Sequence, residues 1–126
     1  MPALAIQRSN TILYCRRWTE TLHFYREGLC LPVCHETDWL VELRLAPAAF
    51  LSVADERRAR IKSAGGQGLT LSWQVPELRA ARDQLRARGL DPGPIRPHAW
   101  GAMVCYLRDP EGHRIELWTP LRGSDG

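Results

Sequence analysis

No stretch of this chain stays apolar for the roughly 20 residues that a membrane-spanning helix needs, so no such helix is expected. The opening residues, MPALAIQRSN, have no basic segment followed by a long apolar core. They do not read as a secretory signal, and the expected location is the cytoplasm. Lysine is almost missing: of 17 basic residues only Lys62 is not arginine. The arginines are scattered, without interleaved aromatics, and the formal charge is only +3, so no nucleic-acid-binding surface is expected. The glycine-rich SAGGQG is not followed by the Gly-Lys-Ser/Thr of a phosphate-binding loop, so it reads as part of a linker. The four cysteines are Cys15, Cys30, Cys34 and Cys105. In a reducing compartment they are expected as thiols, with Cys15 and Cys105 packed inside apolar runs. CLPVCH offers Cys30, Cys34 and His35 but no second ligand pair, which argues against zinc. No Ser-His-acid or Cys-His constellation follows from the positions of His23, His35, His98 and His113.

What the chain does have is an internal repeat. Its 126 residues suit one domain. TILYC reads as a strand, and RWTETLHFYREGL as a helix with Trp18, Leu22, Tyr25 and Leu29 on its inner stripe and Thr19 as N-cap. LPVCHET, WLVELRL and AAFLSVA read as three more strands. After the charged and Gly-rich linker DERRARIKSAGGQG the order recurs: LTLSWQV, then a helix from Pro76 to Gly89, then GPIRP, AMVCYL and HRIELW. In that second helix Leu78, Ala81, Leu85 and the stem of Arg88 are expected on the inner stripe, with Gly89 as the stop. Thr11 and Thr70 stand 59 positions apart, as do Leu31 and Leu90. Two βαβββ modules in one chain are therefore expected: an α+β fold whose curved, mostly antiparallel sheet surrounds a cleft, helices outside. The first module covers about 10–54, the linker 55–68, the second module about 69–119 and a tail 120–126.

Strand parity sorts the side chains. Leu69, Leu71, Trp73 and Val75 form an apolar face, and Thr70, Ser72 and Gln74 the opposite one. Trp39, Val41, Leu43 and Leu45 likewise oppose Leu40, Glu42 and Arg44; Ile115 and Leu117 oppose Arg114, Glu116 and Trp118. On the first strand Asn10, Ile12, Tyr14 and Arg16 are expected on the cleft face. DPEG between the last two strands reads as a turn, with His113 serving it.

These residues resemble the vicinal oxygen chelate superfamily, which includes glyoxalase I, bleomycin-resistance proteins and extradiol dioxygenases. Phe24-Tyr25 followed by Leu29-Cys30-Leu31 is similar to its FY…LGL signature, with Cys30 in place of the usual Gly. WGAMVCYLRDPEGHRIELW is similar to its C-terminal signature, and the resemblance covers roughly residues 10–119. It implies a cupped sheet that holds a small ligand, in a homodimer. It also implies, for the metal-dependent members, four ligand positions, which fall here on Asn10, Ser52, Thr70 (Leu69 if the register slips by one) and Glu116. Three of these four are neutral, and a single carboxylate does not readily replace an ion's water shell. No cofactor and no tight metal are therefore expected, with Glu116 as the one weak metal candidate.

The expected function is binding of a small organic molecule, aromatic or cationic, in the cleft. Bleomycin itself suits a protein of net charge +3 poorly. The candidate ligand-binding residues are Asn10, Tyr14, Glu42, Arg44, Ser52, Thr70, Trp100, Tyr106, Glu116 and Trp118. Glu42 and Glu116 are the catalytic candidates of the alternative: a lyase, isomerase or dioxygenase-like enzyme working through a weak divalent metal at Glu116 or by Glu42/Glu116 acid-base chemistry. In that pocket Arg16, Arg44 or Arg114 would accompany them; alternatively each Glu forms a structural ion pair with an Arg, or the chain is an interaction module pairing through its sheet edge. The expected partners are a small-molecule ligand and a second copy, with no nucleic acid and no membrane.

Overall fold

The computed structural model describes residues 1–121, so most of the tail assigned to 120–126 lies outside the described residues. Two compact units divide the chain, 1–64 and 65–126. Each holds one βαβββ module. The first is β1 (Ser9–Cys15), α1 (Trp18–His23), β2 (Val33–Glu36), β3 (Leu40–Ala46) and β4 (Ala49–Asp55). The second is β5 (Thr70–Gln74), α2 (Leu78–Ala87), β6 (Arg96–His98), β7 (Ala102–Arg108) and β8 (Arg114–Pro120). The strands form two four-stranded sheets, ordered β1-β4-β3-β2 and β5-β8-β7-β6. β1 runs parallel to β4 and β5 to β8; the other pairs are antiparallel.

Alternation drives each sheet, since successive side chains point to opposite faces. In the first unit Leu13, Cys15, Val41, Leu43, Leu51 and Val53 are buried under α1. In the second, Leu71, Cys105, Leu107, Ile115 and Leu117 are buried on the side that meets α2. Burial pushes the Cys105 thiol above its ordinary range. β6 is an edge strand, and Pro97 is tolerated there because an edge needs no donor on its open side.

The helices depart from expectation in detail. Arg17, not Thr19, is the N-cap of α1, and it makes no side-chain cap bond; Thr19 is the second residue of the helix. After His23 the chain winds into a π-turn, Phe24–Gly28, with the Leu29 amide donating to the Phe24 carbonyl at 2.9 Å. That turn holds one extra residue. The Leu31 amide reaches back six residues to Tyr25, whereas the Leu90 amide in the second module reaches back five to Leu85. The wider turn buries Phe24 as well as Tyr25, edge to face at 5.0 Å. Both modules leave their helix through a left-handed residue: Gly89 at φ 82° and Cys30 at φ 57°. On α2, Glu77 is the N-cap and accepts from the Arg79 and Ala80 amides, so Pro76 precedes the cap. The arginine stem on the inner side is Arg82, whose Nε donates to the Gly93 carbonyl at 2.7 Å; Arg88 is exposed.

The segment between the modules is a structured connection for much of its length. A 3-10 turn, Glu56–Arg58, is capped by Asp55. The Arg57 guanidinium, 2.7 Å from Asp55, holds that carboxyl below its usual range. Gly66 then packs so tightly on the Gly112–His113 backbone that a Cβ there has no room. The DPEGH turn is built by Asp109, whose Oδ1 accepts the Glu111, Gly112 and His113 amides while Oδ2 meets His113 Nδ1 at 2.7 Å. His113 and Asp109 are both buried, so the histidine belongs to the turn as expected.

Candidate functional site

Strand register builds a polar face on each sheet. In the first unit Ile12, Ser52 and Glu42 lie in one row across β1, β4 and β3, and Asn10, Phe50 and Arg44 in the next. Ser52 is fully buried, and its Oγ donates to Asn10 Oδ1 at 3.0 Å. The Asn10 amide in turn reaches Glu42 Oε2 at 3.5 Å. Glu42 Oε1 pairs with Arg8 at 3.1 Å, and the same guanidinium lies 3.8 Å from the centre of the Phe50 ring. Glu42 is thus a structural ion pair, and its partner is Arg8 rather than Arg16 or Arg44. Arg16 lies 3.9 Å from Glu56, and Arg44 is exposed. Tyr14 falls on this face opposite Ala54 and makes no hydrogen bond with the cluster among the described residues. Arg8 escaped the sequence reading because it precedes the β-rich run; the signal was its parity with Asn10 and Ile12, two residues further back.

In the second unit Ser72, Glu116 and Tyr106 form the matching row, and Thr70, Arg114 and Arg108 the next. Glu116 has a hydroxyl donor on each oxygen: Ser72 Oγ at 2.5 Å and the Tyr106 phenol at 2.9 Å. No cation lies within ion-pair distance of it among the described residues. That hydrogen bond to Glu116, joined by burial and the carboxylate's charge, holds the Tyr106 phenol above its ordinary pKa; Arg114 opposes the shift. Arg114 lies over the Tyr106 ring at 4.9 Å, and its Nε donates to Thr70 Oγ1 at 3.0 Å. One step along β8, on the same face, Trp118 meets Trp100 edge-on at 4.9 Å, and His98 tilts against Trp100 at 5.3 Å. Trp100 is half exposed, in the turn where Gly101 takes φ 93°. The second unit therefore gathers Thr70, Ser72, Trp100, Tyr106, Glu116 and Trp118 on one face, with an acceptor at its centre and an aromatic pair at its side.

A family model described as the Glyoxalase/Bleomycin resistance protein/Dioxygenase superfamily matches residues 8–117. The chain belongs to this superfamily, also called the vicinal oxygen chelate superfamily. Among solved structures, a glyoxalase/bleomycin resistance protein/dioxygenase from Nocardioides is similar at 18% identity, TM-score 0.79, over 98% of this chain and 88% of that one. A lactoylglutathione lyase from Agrobacterium tumefaciens follows at 22% identity, TM-score 0.74, over 94% and 95%. TnmS3, an antibiotic binding protein from Streptomyces sp. CB03234, is similar at 16% identity, TM-score 0.75, over 95% and 98%. At these identities the likeness is one of fold. No curated protein matches the sequence.

The superfamily's metal-binding plan does not fit these residues. The four positions that the resemblance implies, Asn10, Ser52, Thr70 and Glu116, carry an amide, two hydroxyls and one carboxylate. Asn10 and Ser52 are hydrogen-bonded to each other, and a guanidinium meets Glu42 beside them. Thr70 accepts from the Arg114 guanidinium, so a cation already stands at that position. Borderline ions want several His, Cys or carboxylate ligands, and hard ions want several anionic or carbonyl oxygens. Among the described residues, no three His, Cys, Asp or Glu side chains come together in a metal-binding group.

Proposed function

We propose that the protein binds a small organic molecule on its polar sheet faces, without a tightly held divalent ion, and that Glu116 is the anchor. The observation that carries this reading is that Glu116 accepts from two neutral hydroxyls and has no cationic partner among the described residues, with the Trp100–Trp118 pair on the same face. A carboxylate held this way keeps its charge available to a ligand amine or hydroxyl, and tryptophan supplies stacking area and attraction for a cation. The ligand is an aromatic or cationic molecule. The structural likeness to an antibiotic binding protein supports a binding role.

The test is a thermal-shift screen of the full chain against aromatic amines and cationic natural products. A binder present at about 100 times its Kd adds about 2.7 kcal/mol of stability. Glu116→Gln removes that gain while leaving the unliganded protein folded. If no compound in a broad library raises the melting temperature, or if Glu116→Gln binds equally well, the reading falls.

A second reading has its own observation. The 2.5 Å contact with Ser72 and the raised Tyr106 phenol make Glu116, Ser72 and Tyr106 a chain of proton-sharing oxygens, suited to acid-base work as a lyase or isomerase. Glu42 takes no part in it, because Arg8 keeps that carboxylate paired. Turnover of a bound ligand, lost in Tyr106→Phe with binding kept, would favour this reading. We also propose that the chain works in the cytoplasm as a homodimer. Its cysteines form no disulfide among the described residues, and no described helix is long and apolar enough to cross a membrane. Light scattering of the eluted protein at twice the 14.3 kDa chain mass would support the dimer.

A further inference from the structure

Arg108 of β7 and Arg114 of β8 are directly opposite each other across the β7–β8 ladder. Like charges placed so are unfavourable. Neither guanidinium has a carboxylate within ion-pair distance among the described residues. Arg108 Nη1 donates to the Gly112 carbonyl at 2.8 Å, and Arg114 Nε to Thr70 Oγ1 at 3.0 Å, which fixes both side chains without neutralising them. The nearest acid on this face, Glu116, is engaged by Ser72 and Tyr106. Both arginines line a hollow of about 410 Å³, together with Thr70, Leu69 and the loop 65–68.

The loop explains why the hollow is open. Three of its four residues are glycines, all with positive φ. A Cβ built on Gly65 or Gly68 would meet open space, so the backbone itself faces the hollow. Gly66, by contrast, is wedged on the Gly112–His113 backbone, which pins the loop beside the arginine pair. A fixed loop, two fixed guanidiniums and a hydroxyl thus surround one space.

We propose that this hollow is an oxyanion site, in which the phosphate or carboxylate group of a small molecule bridges Arg108 and Arg114. The bound anion relieves the cross-strand repulsion and takes charge-assisted hydrogen bonds from the remaining guanidinium N–H groups. The hollow has room for the body of the molecule as well as its anionic group. Glu116 does not line this space, although Thr70 borders it and the Glu116 face alike, so the proposal does not depend on the ligand-binding reading above.

The test is a titration of the ¹⁵N-labelled full chain with inorganic phosphate and with malonate, against chloride at matched ionic strength. Saturable shifts at the Gly65–Gly68 and Thr70 amides and the Arg108 and Arg114 Nε–H groups are expected for at least one of the two oxyanions. The tighter of them identifies the source as phosphate or carboxylate. Arg108→Gln and Arg114→Gln should each weaken binding at least tenfold, Arg108→Lys by less, and the exposed Arg86→Gln on α2 not at all. Retained amide dispersion in the variants separates lost binding from lost folding, and Arg108→Lys keeps the charge should Arg108→Gln not fold. Shifts no larger than those of chloride, or equal affinity in Arg108→Gln or in Arg108→Lys and Arg86→Gln with no preference, would overturn the proposal. Its failure would leave the effect of Glu116→Gln on ligand binding unchanged, so the two readings fall separately.

Discussion

Ser52 and Glu116 hold the same place in their two sheets. Each sits on the strand between a parallel and an antiparallel neighbour, with Ile12 and Glu42 beside Ser52 and Ser72 and Tyr106 beside Glu116. The duplicated backbone has been filled with different chemistry. In the first unit the middle of the row is a buried hydroxyl and the acid has moved to the neighbouring strand, where Arg8 neutralises it. In the second the acid stays in the middle, flanked by two hydroxyls. Among the described residues no guanidinium meets Glu116 as Arg8 meets Glu42, which is why the proposed function rests on the second unit.

The Tyr106 phenol reports on that carboxylate. Its hydrogen bond to Glu116, with burial and the neighbouring charge, raises its pKa above the ordinary value of about 10. A raised folded-state pKa means that the stabilisation is fully present below the unfolded value and is lost as pH rises through the folded one. Ultraviolet titration at alkaline pH should therefore show a late-ionising step that Tyr106→Phe removes. Glu116→Gln removes the charge and should bring the step back down. An unchanged step in Glu116→Gln would show that the carboxylate does not hold the phenol.

Arg8 gives a second test, this time of an exposed pair. Its side chain is 52% exposed, against 16% for Glu42. An ion pair of this kind contributes about 0–1 kcal/mol, and the stacking on Phe50 about 0.5–1 kcal/mol. Arg8→Ala should cost about 1 kcal/mol in chemical denaturation at low salt. The deficit should shrink in 1 M salt, where screening acts over about 3 Å. A deficit that salt does not touch would assign the effect to packing of the arginine stem.

Much of this arrangement is legible in the sequence. Two modules, the apolar faces of β3, β5 and β8, the core thiols Cys15 and Cys105, and the turn role of His113 follow from period, parity and turn residues alone. The partner of Glu116 was within reach too. A hairpin closed around Asp109–His113 puts Arg108 opposite Arg114, and counting outward puts Tyr106 opposite Glu116. What stayed hidden has physical causes. Arg8 acts through a side chain anchored one residue before β1, where no strand residue types mark the chain. The π-turn costs one residue, which leaves the apolar spacing of the first helix nearly intact, so a stripe count does not detect it. Thr19 has the right type for an N-cap, but the chain starts its helix at Trp18, whose Nε1 donates to the Val53 carbonyl at 3.0 Å.

Gly66 is the loop position that cannot change. A Cβ there would collide with the Gly112 carbonyl and the His113 amide nitrogen, and its φ of 83° is strained for any other residue. Gly65 and Gly68 share the positive φ but face open space. Alanine should therefore cost about 1–2 kcal/mol at Gly65 or Gly68, from backbone strain alone. Gly66→Ala should cost more than either, because the Asp109–His113 turn must also move. Thermal unfolding of the three variants orders them. Equal losses would mean that the Gly66–Gly112 contact yields cheaply.

Cys30 poses the opposite question: whether a residue that is not glycine belongs where it is. Its φ of 57° is the only left-handed value outside glycine among the described residues. The equivalent exit from α2 uses Gly89 at φ 82°. A side chain in this region costs about 1–2 kcal/mol, while glycine costs back about 0.5–1 kcal/mol through the freedom of the unfolded chain. The Cys30 thiol also gives up its contact with the Glu27 carbonyl at 3.2 Å, a weak bond at an exposed site. The balance favours glycine, so Cys30→Gly should raise stability by up to about 1 kcal/mol, and Cys30→Val, whose branched side chain suits φ > 0 least, should lower it. Melting temperatures of the two variants decide the matter. If Cys30→Gly melts below the parent chain, the thiol contributes more to closing the π-turn than its exposed geometry implies.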